Sequence, residues 1–433
     1  MTLGAPFANT RMDRRIGQIL WIRVAPFAPL ALLSAVCLAT AGALSSCGRQ
    51  AAPAVEEQPL RSDQAPTVRI LLGGGPVDRV IVSTTGGRIR VDGQDQGSGE
   101  LSNIEVSRRG GLWKFNNLTV RGQQAEILPG PGHYVRLGAT TYRGSLVLLP
   151  AGDDRFSVIN RVDLESYLAG VLSKELYPSW SKATYRALAV AARTFALYHV
   201  TTFGKSHEYD LGDDQNWQVY GGFTAETDKS WDAVRYTQGM VLTHGPRGKE
   251  RIFMAQYSAC CGGTVNGAYV IRDAPQIPPL LGGQTCEDCR GHRLYRWEPV
   301  RFRKADVFSA VSRAYPATGA MDGLKEILVA AAGPGDRPIW LDLVAPNVAR
   351  IRIRAEDLRI CILRSGLPDA RRLYSMNCRI RDAGEQVEFY AGRGFGHGVG
   401  LCQWGAQGKA ERGATALEIL DAYYPGATLF RAY

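Results

Sequence analysis

Asp163-Leu-Glu-Ser-Tyr-Leu-Ala-Gly-Val-Leu-Ser-Lys-Glu175-Leu-Tyr-Pro178, followed by Ser179-Trp-Ser-Lys-Ala-Thr-Tyr-Arg-Ala-Leu-Ala-Val-Ala-Ala-Arg193-Thr-Phe-Ala-Leu-Tyr-His-Val200, is where the helical part of the fold is written. In the second half Thr184, Ala187, Leu188, Ala191, Phe195 and Tyr198 recur at three- and four-residue steps, which predicts a helix, and Ser179 or Ser181 can cap its start. Small residues at 187, 189, 191, 192 and 196 let another element pack close against it. The first half reads as a shorter amphipathic helix that Pro178 ends, because proline removes a donor and clashes inside a helix. Glu175 thus falls at a junction between two helices, where a carboxylate can face a cleft. On a continuous helix Glu165 would lie roughly 80° around the axis from it.

Working outward, the N-terminal side carries no helical period. Thr67–Leu72, Arg79–Ser83, Arg88–Val91, Leu112–Phe115, His133–Leu137 and Ser145–Leu149 alternate or run apolar between glycine-rich turns, and predict short strands. On the C-terminal side, the runs beginning at Gly239 and Arg251 read as strands, as does Arg350-Ile-Arg-Ile-Arg354. Thr415-Ala-Leu-Glu418 has the capping-box pattern of a last helix. With no regular strand–helix alternation, the expected class is α+β: a β-rich N-terminal subdomain followed by a mixed region with a cleft. The expected boundaries are residues 67–158 for the first and 159–433 for the second.

The start predicts export. Arg11, Arg14, Arg15 and Arg23 precede an uncharged run from Val24 to Gly48, and Leu44-Ser-Ser-Cys47 has the form of a lipobox. Residues 1–46 are expected to be a lipoprotein signal peptide, Cys47 the lipidated residue and 47–66 a flexible tether, leaving the body membrane-anchored outside the cytoplasm. An uncleaved anchor is the competing reading. Removing residues 1–46 lowers the net charge from +10 to about +7, a basic balance suited to anionic wall polymers or lipid headgroups. No zinc-finger histidine spacing or basic, aromatic-striped helix supports nucleic acid. Asp210, Asp213 and Asp214 lack the spacing of a calcium loop and predict a solvated loop.

Three further motifs stand out. They are Gln218-Val-Tyr220-Gly-Gly222, Tyr257-Ser258-Ala-Cys-Cys-Gly-Gly-Thr264 and Gly394-Phe-Gly-His397-Gly-Val-Gly-Leu-Cys402-Gln403-Trp-Gly-Ala406. The glycine-rich loop fits neither a dinucleotide fingerprint nor a phosphate loop. Its alternating glycines instead permit unusual backbone angles and close chain approach around His397.

Taken in order with the Glu175 segment, these motifs resemble the SpoIID/LytB family, which comprises stage II sporulation protein D and amidase enhancers, from about residue 67 to the C-terminus. The resemblance implies a wall-active protein that cuts peptidoglycan glycan strands as a lytic transglycosylase, with Glu175 as its single general acid and base and 1,6-anhydro products. It also implies a rival, a non-enzymatic amidase enhancer that binds wall and a partner amidase. Arg193, Gln218, Tyr220, Tyr257, Ser258, His397 and Gln403 are then the expected contacts to sugar or to the acid. Cys402, where the family more often has serine, is expected to be a small buried group.

Cys260, Cys261, Cys286, Cys289 and His292 form the informative cysteine set. Disulfides suit an exported chain, whereas Cys-x-x-Cys is also zinc-ligand spacing. A structural Zn²⁺ and disulfides both remain open at this point, and the proposed chemistry itself needs no cofactor.

Overall fold

The computed structural model describes residues 64–271 and 276–433. The expected signal peptide, Cys47 and nearly all of the expected tether lie outside these residues. Among the described residues no helix is long and apolar enough to cross a membrane.

The strand pair that carries the site is Thr67–Val77 against Phe156–Asp163, antiparallel from Thr67↔Asp163 to Val77↔Phe156. Val68, Ile70 and Leu72 point inward from the first strand, in keeping with a period of two. These two strands belong to an eleven-stranded sheet. From the Phe156–Asp163 strand it runs on through Ser145–Pro150, Ala125–Leu128, Arg79–Val91, Gln94–Arg109, Leu112–Phe115 and Leu118–Arg121. The two runs expected at 79–83 and 88–91 are one strand. Gly86 sits within it at φ +58 and the register shifts there, so the glycines bend the strand instead of ending it.

The second strand of the pair passes directly into helix α1 (Leu164–Glu175), capped by Asp163, whose carboxylate accepts from the Ser166 N–H at 2.9 Å. Nine of its residues, Leu164 to Leu172, are buried, so α1 is a core helix and not the amphipathic one its sequence suggests. Helix α2 (Lys182–Thr201) follows, capped by Ser181. Its small-residue face is filled: Ala187, Leu188, Ala189, Ala191, Ala192 and Ala196 are inaccessible to solvent. Helix α3 (Asp228–Tyr236) completes this layer with a capping box between Thr227 and Ser230.

One hydrophobic core runs from Val68 to Ala432 and includes sheet residues, α1 and α2 together, so packing does not break at residue 158. A second core, from Trp297 to Phe389, was not foreseen. It is built by helices α4 (Lys304–Ser312) and α5 (Ala355–Arg364) and by two three-stranded sheets, 300–303/386–390/379–383 and 326–332/338–344/350–354. Cys361 and Cys378 belong to it. The chain then returns through the glycine loop into helix α6 (Gln403–Glu411) and helix α7 (Ala416–Tyr423), the latter with the expected Thr415–Glu418 capping box.

Candidate functional site

Glu175 is the last residue of α1, after which Leu176 turns extended (φ −125, ψ 151). Its carboxylate is half-buried and accepts two hydrogen bonds, the Val219 N–H on Oε1 at 3.0 Å and the Gln403 side-chain amide on Oε2 at 3.0 Å. Burial pushes its pKa above the ordinary glutamate value, and these two donors pull it only part of the way back. Its place at a helix C-terminus, the negative end of the dipole, works in the same direction as burial. Both donors are neutral, which leaves the group free to take up a proton.

Glu165, ten residues earlier, has the opposite fate. Arg193 grips it with Nε on Oε1 at 2.9 Å and Nη2 on Oε2 at 2.7 Å, and the Gly239 N–H and the Tyr433 hydroxyl add further bonds to Oε1. The guanidinium also donates to Thr237 Oγ1 at 3.3 Å and to the Met240 carbonyl at 3.1 Å. Arg193 has no solvent-accessible surface, so the expectation that it touches substrate is corrected: it is a buried strut between α1, α2 and the strand at 240.

Two more expected contacts are buried supports. Gln218 is wholly enclosed, accepting from the Tyr167 hydroxyl at 3.1 Å and donating to the Ala192 carbonyl at 3.3 Å. This anchors the segment whose next residue supplies the Val219 N–H to Glu175. Tyr220 is buried with its hydroxyl donating to Asn160 at 3.0 Å. Neither presents a face to a ligand, so both are corrected from substrate contacts to supports. Leu188 is buried apolar packing.

Tyr257 and Ser258 lie on a two-residue strand parallel to Leu401–Cys402, which brings that motif beside the glycine loop. Among the described residues the Ser258 hydroxyl has no hydrogen-bond partner, and the Tyr257 hydroxyl has the Gln218 amide beside it. Burial, with the charge of Glu175 next in order, raises the Tyr257 phenol well above its usual range. Tyr257 and Tyr167 are the phenols that feel Glu175.

In the glycine loop Gly394, Gly396, Gly398 and Gly400 all have positive φ, between +67 and +92. At Gly400 a Cβ would stand 2.0 Å from the Gln256 carbonyl oxygen, so a side chain has no room there. The loop is fastened by the Cys260–Phe395 backbone pair (3.1 and 2.8 Å) and by Asn266 N–H on the Gly398 carbonyl at 2.7 Å. From the second core, buried Arg337 donates to the Gly396 carbonyl at 3.3 Å. His397 accepts the Val399 N–H on Nδ1 at 3.1 Å, which puts its proton on Nε2. Burial lowers its pKa to about 4, so the ring is neutral at pH 7. The bonds to Glu175 come from Val219 and Gln403, not from His397 as one reading of the loop allowed.

An aromatic group flanks the acid. Tyr177, Trp180 and Trp404 meet with ring centroids 5.1 to 5.9 Å apart, and Tyr177 is 55% exposed. Two hollows lie elsewhere. One, of about 190 Å³, is lined by Glu326–Leu328 and Ile380–Asp382, the other, of about 290 Å³, by His133, Tyr134 and Arg143.

The cysteines gather, but not as the spacing suggested. The sulfurs of Cys261, Cys286, Cys289 and Cys402 all lie within 4.8 Å of one another, all buried. Cys402 takes the place expected for Cys260 or His292. Cys260 is beside the group without belonging to it. His292 instead packs its ring on Trp404, with centroids 4.8 Å apart. Sequence spacing could not have found Cys402, which is 141 residues from Cys261.

A family model described as Stage II sporulation protein matches residues 152–244, which contain α1, α2 and Gln218–Gly222. Together with the curated relatives, this match supports a likeness to the SpoIID/LytB family, named for sporulation and for amidase enhancement. The chain is 27% identical over 312 residues to stage II sporulation protein D of Bacillus subtilis, covering 68% of this chain and 82% of that one. It is 24% identical over 308 residues to the amidase enhancer of the same organism, covering 60% of this chain but 40% of that protein. An uncharacterized protein of Brachyspira hyodysenteriae is 28% identical over 293 residues, 68% of this chain and 73% of its own length.

Proposed function

We propose that the protein cleaves peptidoglycan glycan strands as a lytic transglycosylase, with Glu175 as both acid and base. The observation that carries this reading is the contrast between two glutamates of α1, Glu165 and Glu175. Glu165 is paired with the Arg193 guanidinium, whereas Glu175 is desolvated and held only by neutral donors. A carboxyl so placed can keep a proton near neutral pH and give it up to a glycosidic oxygen. Each of its oxygens has a second lone-pair position beyond the bond it already accepts. As the bond from the anomeric carbon to that oxygen breaks, the muramic acid 6-hydroxyl closes on the anomeric carbon. The Glu175 carboxylate then removes that hydroxyl's proton. No water enters, so one carboxylate suffices where hydrolysis uses two. Tyr177 offers an exposed ring for a sugar face, Tyr257 is a phenol that feels the acid, and Ser258 and His397 are kept as further sugar contacts. Gln403 orients the carboxyl. We further propose that Cys47 is lipidated and tethers this body to a membrane facing the wall.

The relative named an amidase enhancer favours a second reading, in which the same surface binds wall and stimulates a partner amidase. Mass spectrometry of purified glycan strands incubated with the protein separates the two. Products with 1,6-anhydro ends, lost in Glu175→Gln by at least the 10² to 10⁴ that general acid catalysis supplies, are expected. Reducing ends would refute the single-carboxylate mechanism. No cleavage, with equal stimulation of an added amidase by wild type and Glu175→Gln, would replace the enzyme by the enhancer.

A further inference from the structure

We propose that the outer faces of the second core's two sheets bind an anionic wall polymer, one that carries a phosphodiester in each repeat. This takes from the function above only that the protein works at the wall, and it needs no bond cleavage.

The arginines of these faces stand in a repeated setting. In the sheet 300–303/386–390/379–383, Val300, Phe302, Val387 and Phe389 are buried in the core. A period of two then puts Arg301, Arg303, Arg379 and Arg381 on the other face, around Glu388 and Tyr390. Glu388 accepts from Arg301 Nε at 2.7 Å and from Arg381 Nε. Its side chain is 2% exposed while both arginines are 57% exposed, so water meets guanidinium and not carboxylate. The sheet 326–332/338–344/350–354 repeats the device. There Leu341, Leu343 and Ile353 are buried, and Arg350, Arg352 and Arg354 share the opposite face with Asp342. Arg352 holds that acid at 2.7 and 3.0 Å, and Arg350 lies 3.7 Å from it. On each face an arginine covers a ring, Arg381 over Tyr390 at 4.6 Å and Arg354 over Trp340 at 4.5 Å. The faces meet at the hollow of about 190 Å³, which Arg381 lines from one sheet and Leu328, the register partner of Asp342, from the other.

Charge decides the partner. Seven arginines stand on these faces, and the acids that share them are Glu388, Asp342 and Glu326. Arg303 also pairs with Asp306 of α4, whereas Arg379 is exposed and, among the described residues, in no ion pair. A carboxylate shared by two arginines neutralises only one of them, so each sheet keeps a positive surplus. The planar arginine fork binds a phosphate or carboxylate edge through two parallel hydrogen bonds. Held by an acid beneath or a ring beside, these guanidiniums are ordered before a ligand arrives, which lowers the entropy cost of binding. The surplus is spread over two sheets instead of gathered in one cavity, which suits a chain of recurring charges. A phosphodiester stays ionised at every pH at which a wall protein works, as arginine does. A lipid surface fits less well. Among the described residues Leu328 is the one large apolar side chain well exposed on these faces, and interfacial binding buries a whole apolar face.

The test uses purified full-length protein and poly(glycerol phosphate) of defined length, with binding read by isothermal calorimetry. Binding is expected, and it should weaken about tenfold or more between about 50 and 300 mM salt as counterions are released. Arg350→Glu combined with Arg379→Glu should weaken it at least tenfold. Arg79→Glu combined with Arg121→Glu makes the same charge change at exposed positions of the N-terminal sheet and should bind as wild type does. Should the first double variant fail to fold, Arg379→Ala alone decides, with a loss of at least threefold. Glu175→Gln should also bind as wild type does, so failure of the cleavage reading leaves this result standing. No binding at low salt would overturn the proposal, and so would equal losses in the two double variants, which would mean net charge alone. Tighter binding of polyglutamate than of the phosphate polymer would overturn the phosphodiester. Phosphatidylglycerol vesicles are the rival probe: a loss on vesicles as large as that on the polymer in Arg350→Glu with Arg379→Glu would give the face to lipid.

Discussion

Glu165→Gln breaks the buried pair that joins α1 to α2, and its cost can be worked from the contacts. Arg193 is inaccessible and keeps its charge, while the substituted amide can still accept one bond but turns its NH₂ toward a guanidinium N–H now 2.7 Å from a carboxylate oxygen. Removing one member of such a pair leaves an uncompensated buried charge, a loss of about 3–5 kcal/mol. The bonds to Thr237 and Met240 remain and hold the loss toward the lower figure. Against a typical stability of about 5–15 kcal/mol the protein should still fold. Equilibrium urea unfolding followed by tryptophan fluorescence is the assay. With a slope of about 3 kcal/mol/M, the midpoint should fall by about 1 M with the slope unchanged. Glu165→Gln and Arg193→Met together should cost less than either alone, because the orphaned partner is gone as well. A shift below about 0.2 M in the single variant would refute the claim that this pair is desolvated and structural. The same numbers mean that activity of Glu165→Gln must be read per folded molecule.

Glu175→Gln should stabilise the protein at neutral pH: the folded pKa is raised, so the wild-type acid costs stability as pH rises from the ordinary glutamate value through its folded one, and the gain should vanish below that range in urea titrations at several pH values. His397 works the other way. Its folded pKa is about 4 against an ordinary 6.5, so the folded state loses stability as pH falls from 6.5 to 4, at up to about 1.4 kcal/mol per pH unit, and His397→Gln should flatten that limb of the stability–pH curve. Gly400→Ala has both a positive φ and a carbonyl 2.0 Å from the new Cβ, so it should lower the thermal midpoint and detach the loop, seen as faster amide exchange at residues 395–401.

Local patterns in this chain were readable because local physics made them. The period of α2, the break at Pro178 and the capping box at Thr415 each need only a few neighbouring residues, and each is present. The Gln94–Arg109 strand was not legible because its polar, glycine-containing residues are mostly exposed and alternate inward only at its end, at Ile104, Val106 and Arg108. The second core escaped notice because its strands are separated by short helices and turns that resemble loop sequence. At the site, Glu175 and Gln403 stood out within their motifs, yet nothing in either motif said that one would donate to the other across 228 residues. Arg193 misled for a related reason: a charged residue amid alanines suggests a ligand contact until its partner Glu165 is seen. Cys402 had no neighbouring cysteine to mark it, whereas His292 had the right spacing and the wrong direction.

Helix α6 holds Glu175 through Gln403, while its Gln407 accepts from Ser181 N–H and Thr184 Oγ1, both at 2.9 Å, at the start of α2. This ties the timing of assembly to the far end of the chain. The acid is made early, but one of its two donors and the brace on the neighbouring helix arrive only with the last thirty or so residues. A chain that has not yet delivered α6 thus carries its glutamate without its fittings, and the site is completed only when residues 403–407 have packed against α1 and α2.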